Sequence, residues 1–218
     1  MILALDTSTA IASVALYDGS VSGEITWRSG RGHSVELMVQ ADSLIRLRRV
    51  EPKQLLAVAV ATGPGSYTGL RVGIAAGKGL CLALGLPMVA VCTLDILAYP
   101  HESSCLPVRA VLDAGRHRFA TALYRRGDAG MERIGPIEGK RAHEILRDVT
   151  EKTLLCGDLA EVAAALASSP NDLALLASPA ASLRRAGYLA EIAWRRFQLG
   201  EVQDASQVEA VYLGREVA

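Results

Sequence analysis

The sequence predicts an α/β protein made of two related halves with mixed sheets, the second half reduced. Three observations carry this. Strand-like runs come first as hairpins and then alternate with helical ones, which builds sheets that are partly antiparallel and partly parallel. Leu5-Asp6 and Ala15-Leu16-Tyr17 recur as Leu112-Asp113 and Ala122-Leu123-Tyr124 at a constant shift of 107 residues, the mark of a duplicated strand–turn–strand unit. A linker over residues 100–107, carrying two prolines and two serines, separates the copies.

Taken in order, Met1 to Asp6 and Ala12 to Tyr17 read as short strands joined by Asp6-Thr7-Ser8-Thr9, and a third strand runs through Gly23 to Trp27. After a polar loop, Ser34 is placed to cap a helix through Leu47, with Leu37, Ala41 and Leu44 beside Val35, Met38 and Ile45 in a broad apolar stripe. Ala57 to Ala61 is wholly apolar, as in a strand covered on both faces. The turn Thr62-Gly63-Pro64-Gly65-Ser66-Tyr67-Thr68-Gly69 leads into a helix from Leu70 to Leu84, stopped by Gly85 and Pro87. Met88 to Cys92 is the next strand and Thr93 to Tyr99 a short helix. The second half opens with a strand from Pro107 to Asp113. It continues with a strand near Thr153 to Asp158, helices from Leu159 to Ala167 and Ala181 to Leu199, and a polar tail. The expected domains are 1–99 and a smaller, degenerate 100–218, whose C-terminal segment is able to pack back on the first. Duplicated halves with an Asp at the first hairpin point to the actin-like ATPase, sugar-kinase-like (ribonuclease H-like) architecture.

Half of the 218 residues are hydrophobic and 5% aromatic, so the core is filled with Ala, Leu and Val. Lys plus Arg and Asp plus Glu are balanced at 23 each, which argues against a freestanding nucleic-acid binder. Cys81, Cys92, Cys105 and Cys156 lack paired spacing and read as buried free thiols of a reducing compartment. With no signal peptide or membrane span to be read, the expected location is the cytoplasm.

In the actin-like architecture the first hairpin cups phosphate. Asp6, Thr7 and Ser8 with Gly63, Gly65 and Ser66 are therefore the candidate nucleotide-binding residues, set against the plainer reading of a Ser/Thr and Asx turn beside a tight glycine turn. The equivalent second turn, Asp113-Ala114-Gly115-Arg116-His117, lacks the hydroxyls, so a two-sided phosphate clamp is incomplete. The glycine turn lacks the Gly-Lys-Ser/Thr of a P-loop, the four histidines show no metal-ligand spacing, and no nucleophile–base pair stands out. Gly69, Gly73 and Gly77 recur every four residues along one helix, a pattern that admits a close backbone neighbour. Packing against the 34–47 helix and a subunit interface both account for it.

The stretches ILALDTST, HSVELMVQADSLI, AVAVATGPGSYTGLRVGIAAGKGL and MVAVCTLDILA resemble the bacterial tRNA threonylcarbamoyladenosine biosynthesis family TsaB, formerly YeaZ and called glycoprotease-like. LDAGRHRFATALY resembles the family's second hairpin and AVYLGREV its closing segment, with Ala210 in place of a proline and Gly214 separating Leu213 from Arg215. The resemblance implies a non-catalytic scaffold that partners the catalytic subunit TsaD and the ATPase TsaE in transferring threonylcarbamoyl to the adenosine beside the tRNA anticodon. It implies no cofactor on this chain alone, with ATP and a metal in the partner subunits, tRNA contacted only indirectly, and a homodimer when the partner is absent. The partner's metal-binding His-x-x-x-His falls here on His33 and Leu37, so that ligand pair is broken. On this reading the interface is carried by Val35, Met38, Ile45, Gly69, Leu70, Gly73, Ile74 and Gly77. The alternative is a nucleotide-binding hydrolase or a glycoprotease-like peptidase.

Overall fold

A computed structural model describes residues 1–30, 32–128 and 130–213. The chain divides into two compact units, Met1–Thr93 with Arg185–Tyr212, and Leu94–Arg184 with Leu213 among the described residues.

The first unit contains β1 (Ile2–Asp6), β2 (Ile11–Tyr17), β3 (Val21–Arg28), α1 (His33–Leu47), β4 (Ala57–Ala61), α2 (Tyr67–Leu84) and β5 (Met88–Val91). Its sheet runs β3-β2-β1-β4-β5, antiparallel across the first three strands and parallel from β1 to β4 to β5. Register separates the two faces. Leu5 lies opposite Val14 and Val60, and these join Leu37, Ala41, Leu44 and Ile74 of α1 and α2 in one core. Ala4 lies opposite Ala15 and Ala59, and Ala15 opposite Glu24, so the other face presents small side chains and one carboxylate. The helix at 186–198 packs on this sheet through Leu189, Ala190 and Ala193, all fully buried. Arg185, which precedes it, donates from Nε and Nη2 to Glu24 at 3.2 and 2.9 Å.

The second unit repeats the plan. It holds most of α3 (Thr93–Ala98), then β6 (Val108–Asp113), β7 (Phe119–Gly127), β8 (Gly130–Lys140), α4 (Ala142–Arg147), β9 (Thr153–Gly157), α5 (Ala160–Ser168) and β10 (Ala174–Leu176). Its sheet order, β10-β9-β6-β7-β8, and its mixture of antiparallel and parallel pairs match the first strand for strand. Two mixed sheets related in this way form the actin-like, sugar-kinase-like fold. The reduction lies in the helices: α4 has 6 residues and α5 has 9, against 15 and 18 in α1 and α2. The repeat also slips. Asp6 pairs with Ser13, whereas Asp113 pairs with Phe119, one residue nearer along the chain, so the constant shift of 107 is not kept in the pairing.

Several elements differ from expectation. Strands β8 and β10 and helix α4 had no counterpart in the sequence reading, because Gly135 and Pro136 interrupt one run and the other two elements have only 3 and 6 residues. Ser34 sits inside α1, whose N-cap is Gly32, and Ser66 rather than Leu70 opens α2, its Oγ accepting from Gly69 N–H. The unit boundary falls after Thr93, not at Pro100, because Leu97 and Asp95 of α3 bond into the second unit through Cys156 and Tyr124. The last helix, α6 (Ala186–Gln198), starts five residues later than expected and rejoins the first unit, as does the segment from there to Tyr212. The polar tail is anchored: Gln203 pairs with Met88, and Val208 is buried in the first core. Of the four thiols, only Cys81 and Cys156 are buried; Cys105 is exposed and Cys92 half-buried.

Candidate functional site

Parallel strands β1 and β4 are neighbours, and the turns that leave their C-terminal ends meet. This is where a sheet of this type offers a crevice to ligands. Asp6 ends β1, and its Oδ1 accepts from the N–H of Ser8 at 2.8 Å and from the Ser8 hydroxyl at 2.6 Å. Thr7 Oγ1 donates to the carbonyl of Gly69 at 2.7 Å, and Ser66 N–H donates to the carbonyl of Ser8 at 2.7 Å. Asp6, Thr7 and Ser8 are all buried. The structure thus brings the six expected nucleotide-site residues into one cluster, and several of their polar groups are spent on each other. The arrangement is an Asx turn locked onto a helix N-terminus.

The glycines explain how the turns approach so closely. At Gly65 an added Cβ would lie 2.3 Å from the carbonyl oxygen of Ser8, and at Gly69 2.1 Å from that of Thr7. Gly63 has φ of +112°, and a Cβ there would meet the carbonyl oxygen of Val211 at 2.3 Å. Around it, Val211 N–H donates to Thr62 O at 2.7 Å, Gly63 N–H to Thr93 Oγ1 at 3.1 Å, and Thr93 N–H to Gly63 O at 2.8 Å. Val211 and Thr93 escaped the sequence reading. Thr93 followed a strand and could have been flagged as a hydroxyl at a strand end; Val211 carried no signal, because 149 residues separate it from Thr62.

The expected interface divides. Val35 and Met38 are 74% and 40% exposed, whereas Leu70, Ile74 and the three glycines are buried and Ile45 packs partly against the core. The glycine face of α2 looks inward. A Cβ at Gly73 would meet Thr7 Oγ1 at 2.5 Å, and one at Gly77 would meet Val60 and Met88 side chains at 2.7 and 2.9 Å. The close neighbour on this face is this chain's own hairpin turn and sheet and not α1. What remains outward on α1 is Val35, Met38 and Val39, with Leu47 at its C-terminal end, and Leu82 is the most exposed apolar side chain of α2 at 87%.

In the second unit the corresponding turn is exposed and lacks hydroxyls. Gly115 N–H donates to Asp113 Oδ1 at 2.7 Å, Asp113 N–H to Asp158 Oδ2 at 2.9 Å, and His117 Nδ1 lies 3.1 Å from Glu161. Leu37, which the resemblance sets opposite the second histidine of a metal-ligand pair, is a fully buried core residue. Glu36, beside it, takes a hydrogen bond from Trp27 Nε1 at 2.9 Å. Among the described residues no group of three or more His, Cys, Asp or Glu is placed to hold a metal ion, and no helix is long and apolar enough to cross a membrane.

Fold and turn together define a duplicated actin-like chain whose first hairpin turn bonds to itself and to the start of α2. The family model described as TsaD, tRNA N6-adenosine threonylcarbamoyltransferase, matches residues 24–212. The tRNA threonylcarbamoyladenosine biosynthesis protein TsaB of Escherichia coli K12 is 29% identical over 225 residues, covering 100% of this chain and 96% of that protein. TsaB of Bacillus subtilis 168 is 32% identical over 152 residues, 69% of this chain and 66% of that protein. The solved structure of YeaZ from Pseudomonas aeruginosa superposes with a TM-score of 0.83 at 28% identity, covering 97% of this chain and 99% of that one. The chain belongs to this TsaD-type family and, within it, to the TsaB (YeaZ) group. The residues that closed the family's expected final segment, Gly214 and Arg215, lie outside those the structure describes.

Proposed function

We propose that the chain is a non-catalytic scaffold subunit in the biosynthesis of tRNA threonylcarbamoyladenosine, acting in a complex with a TsaD-type catalytic subunit and with TsaE. ATP and a metal belong to those partners, tRNA is held mainly by the assembly, and a second copy of the chain takes the partner's place in its absence. Family membership supports the pathway. The observation that carries the scaffold role is the outward apolar set Val35, Met38 and Val39, spaced i, i+3, i+4 on a helix whose opposite face is already buried. The turn at Asp6 adds to it, since Oδ1 is already occupied by the N–H and hydroxyl of Ser8.

The test is co-purification with the catalytic partner. Met38→Asp places a charge in the apolar face without touching the core, so the complex should be lost while the stability of the isolated chain, read by urea unfolding, stays within about 0.5 kcal/mol of wild type. An intact complex would refute the assignment of this face. The rival reading, a nucleotide-binding hydrolase or a glycoprotease-like peptidase, requires Asp6 to reach a ligand. Calorimetric titration with Mg-ATP decides it: micromolar binding with turnover lost in Asp6→Ala would establish the hydrolase.

A further inference from the structure

In the second unit, the Lys140 end of the β7–β8 hairpin and helix α4 enclose a cleft of about 480 Å³ lined by Arg118, Lys140, Arg141 and Arg147 with Glu144 and Asp148. We propose that this cleft binds backbone phosphates of RNA, with Arg118, Arg141 and Arg147 donating to the phosphate oxygens.

The acids of the cleft are already committed. Glu144 Oε2 accepts from the backbone N–H of Arg141 at 2.7 Å, which fixes it at the start of α4. Asp148 and Glu138 both pair with Lys140. Burial works to lower the Lys140 pKa, but the two carboxylates outweigh it and hold the ammonium above its ordinary range, so it stays charged and offsets one of the two. The Arg141 backbone N–H, with the charges of Arg141 and Arg118, holds the Glu144 carboxyl below its ordinary range, so Glu144 offsets part of the arginine charge without a close ion pair. Among the described residues, no carboxylate stands within ion-pair distance of Arg118, Arg141 or Arg147. Arg118 is held in place because its Nη2 donates to Gly139 O at 2.7 Å, and its remaining N–H donors are available. A guanidinium presents paired donors that match two oxygens of one phosphate, so arginines without a close ion pair suit a phosphate group. The balanced charge of the whole chain conceals this local excess.

The committed ligand is the backbone and not a free nucleotide, because none of the lining residues is aromatic or apolar enough to stack a base. Three exposed arginines can grip a phosphodiester chain that passes by, as backbone contacts do. The choice of RNA rests on the function proposed above, in which this contact would add to those of the partner subunits.

Fluorescence anisotropy of an unmodified tRNA transcript with the full-length chain tests the inference, comparing the double variant Arg141→Gln, Arg147→Gln with Arg126→Gln. Arg126 is also exposed on β7, but it pairs with Met131 at the other end of the hairpin. The double variant should bind about tenfold more weakly at about 50 mM salt, with the slope of log affinity against log salt reduced by about 1.5 to 2. Arg126→Gln should change affinity less than about twofold. Equal behaviour of the two proteins overturns the proposal. So does binding of inorganic tripolyphosphate that the double variant loses while tRNA binding is unchanged, which would make the ligand a free polyphosphate. Reconstituted tRNA modification, run in parallel with and without the chain, separates the two levels. A chain dispensable for modification refutes the scaffold reading and leaves the cleft assignment to the anisotropy. A chain that is required, yet unaffected in tRNA binding by the double substitution, refutes the cleft alone.

Discussion

Replacing Gly73 with Ala should destabilise the first unit, although the same change at Gly79 of α2 should stabilise it. A Cβ at Gly73 would sit 2.5 Å from Thr7 Oγ1, far inside the roughly 3.5 Å at which non-bonded heavy atoms attract. Thr7 cannot rotate away without giving up its buried hydrogen bond to Gly69 O. Overpacking of this kind costs about 1–3 kcal/mol, and the lost bond about 1 kcal/mol more. The gain in helix propensity returns about 1 kcal/mol, leaving a net loss of about 1–3 kcal/mol. At Gly79, on the same helix, nothing lies within 4 Å of the added methyl, so only the gain of about 1 kcal/mol remains. The assay is urea unfolding followed by tryptophan fluorescence. Trp27 and Trp194 both belong to the first unit, so the signal reports that unit alone. A Gly73→Ala midpoint at or above wild type would refute the inward-facing assignment of the glycines. It would also restore the possibility that this face meets another subunit.

Other consequences are open to simpler measurements. Ser66→Ala removes the side-chain cap of α2 and should cost about 1 kcal/mol in the same urea assay, whereas Ser66→Gly should cost only a few tenths. Arg185→Ala strips the bidentate partner from Glu24, whose side chain is only 8% exposed; because Arg185 itself is half-exposed, the loss should be about 1–2 kcal/mol, part of it recovered by adding Glu24→Gln. Burial pushes the Cys156 thiol up to about 12, so near pH 8 an aromatic disulfide reagent should label Cys105 rapidly and Cys156 only as the chain unfolds. The native state holds the Cys156 proton where the unfolded chain has lost it. That contribution is therefore present below about pH 9 and should decline as pH rises towards about 12, a dependence that Cys156→Ala removes.

Much of the fold was legible because it is local. Ala57–Ala61 is apolar at every position, and the strand it forms is buried at every position, between α2 on one face and α6 on the other. Gly85 stops α2 with φ of +67°, as a left-handed C-cap requires. The duplication was written in Leu-Asp and Ala-Leu-Tyr, and the two sheets share one strand order. What the periodicity could not carry was short or interrupted, as with β10, α4 and the Pro-bearing β8. The candidate site was only half legible. Residue types nominated Asp6, Thr7, Ser8, Gly63, Gly65 and Ser66, and these do converge. Whether their polar groups face a ligand or each other depends on partners in other elements.

The sequence by itself determined the type of most elements along the chain, the repeat and the absence of a P-loop. Only the tertiary structure decided where the three glycines of α2 point, that Asp6 closes its own turn, and that α6 and the tail return to the first sheet. It alone gathered Arg118, Arg141 and Arg147 beside Lys140. The physical reason is the same in each case. Helix and strand patterns report which face of an element is apolar, through contacts a few residues apart. The partner across that face, such as Val211 beside Thr62 or Glu24 beside Arg185, is chosen by packing between segments more than a hundred residues apart, and no local pattern encodes it.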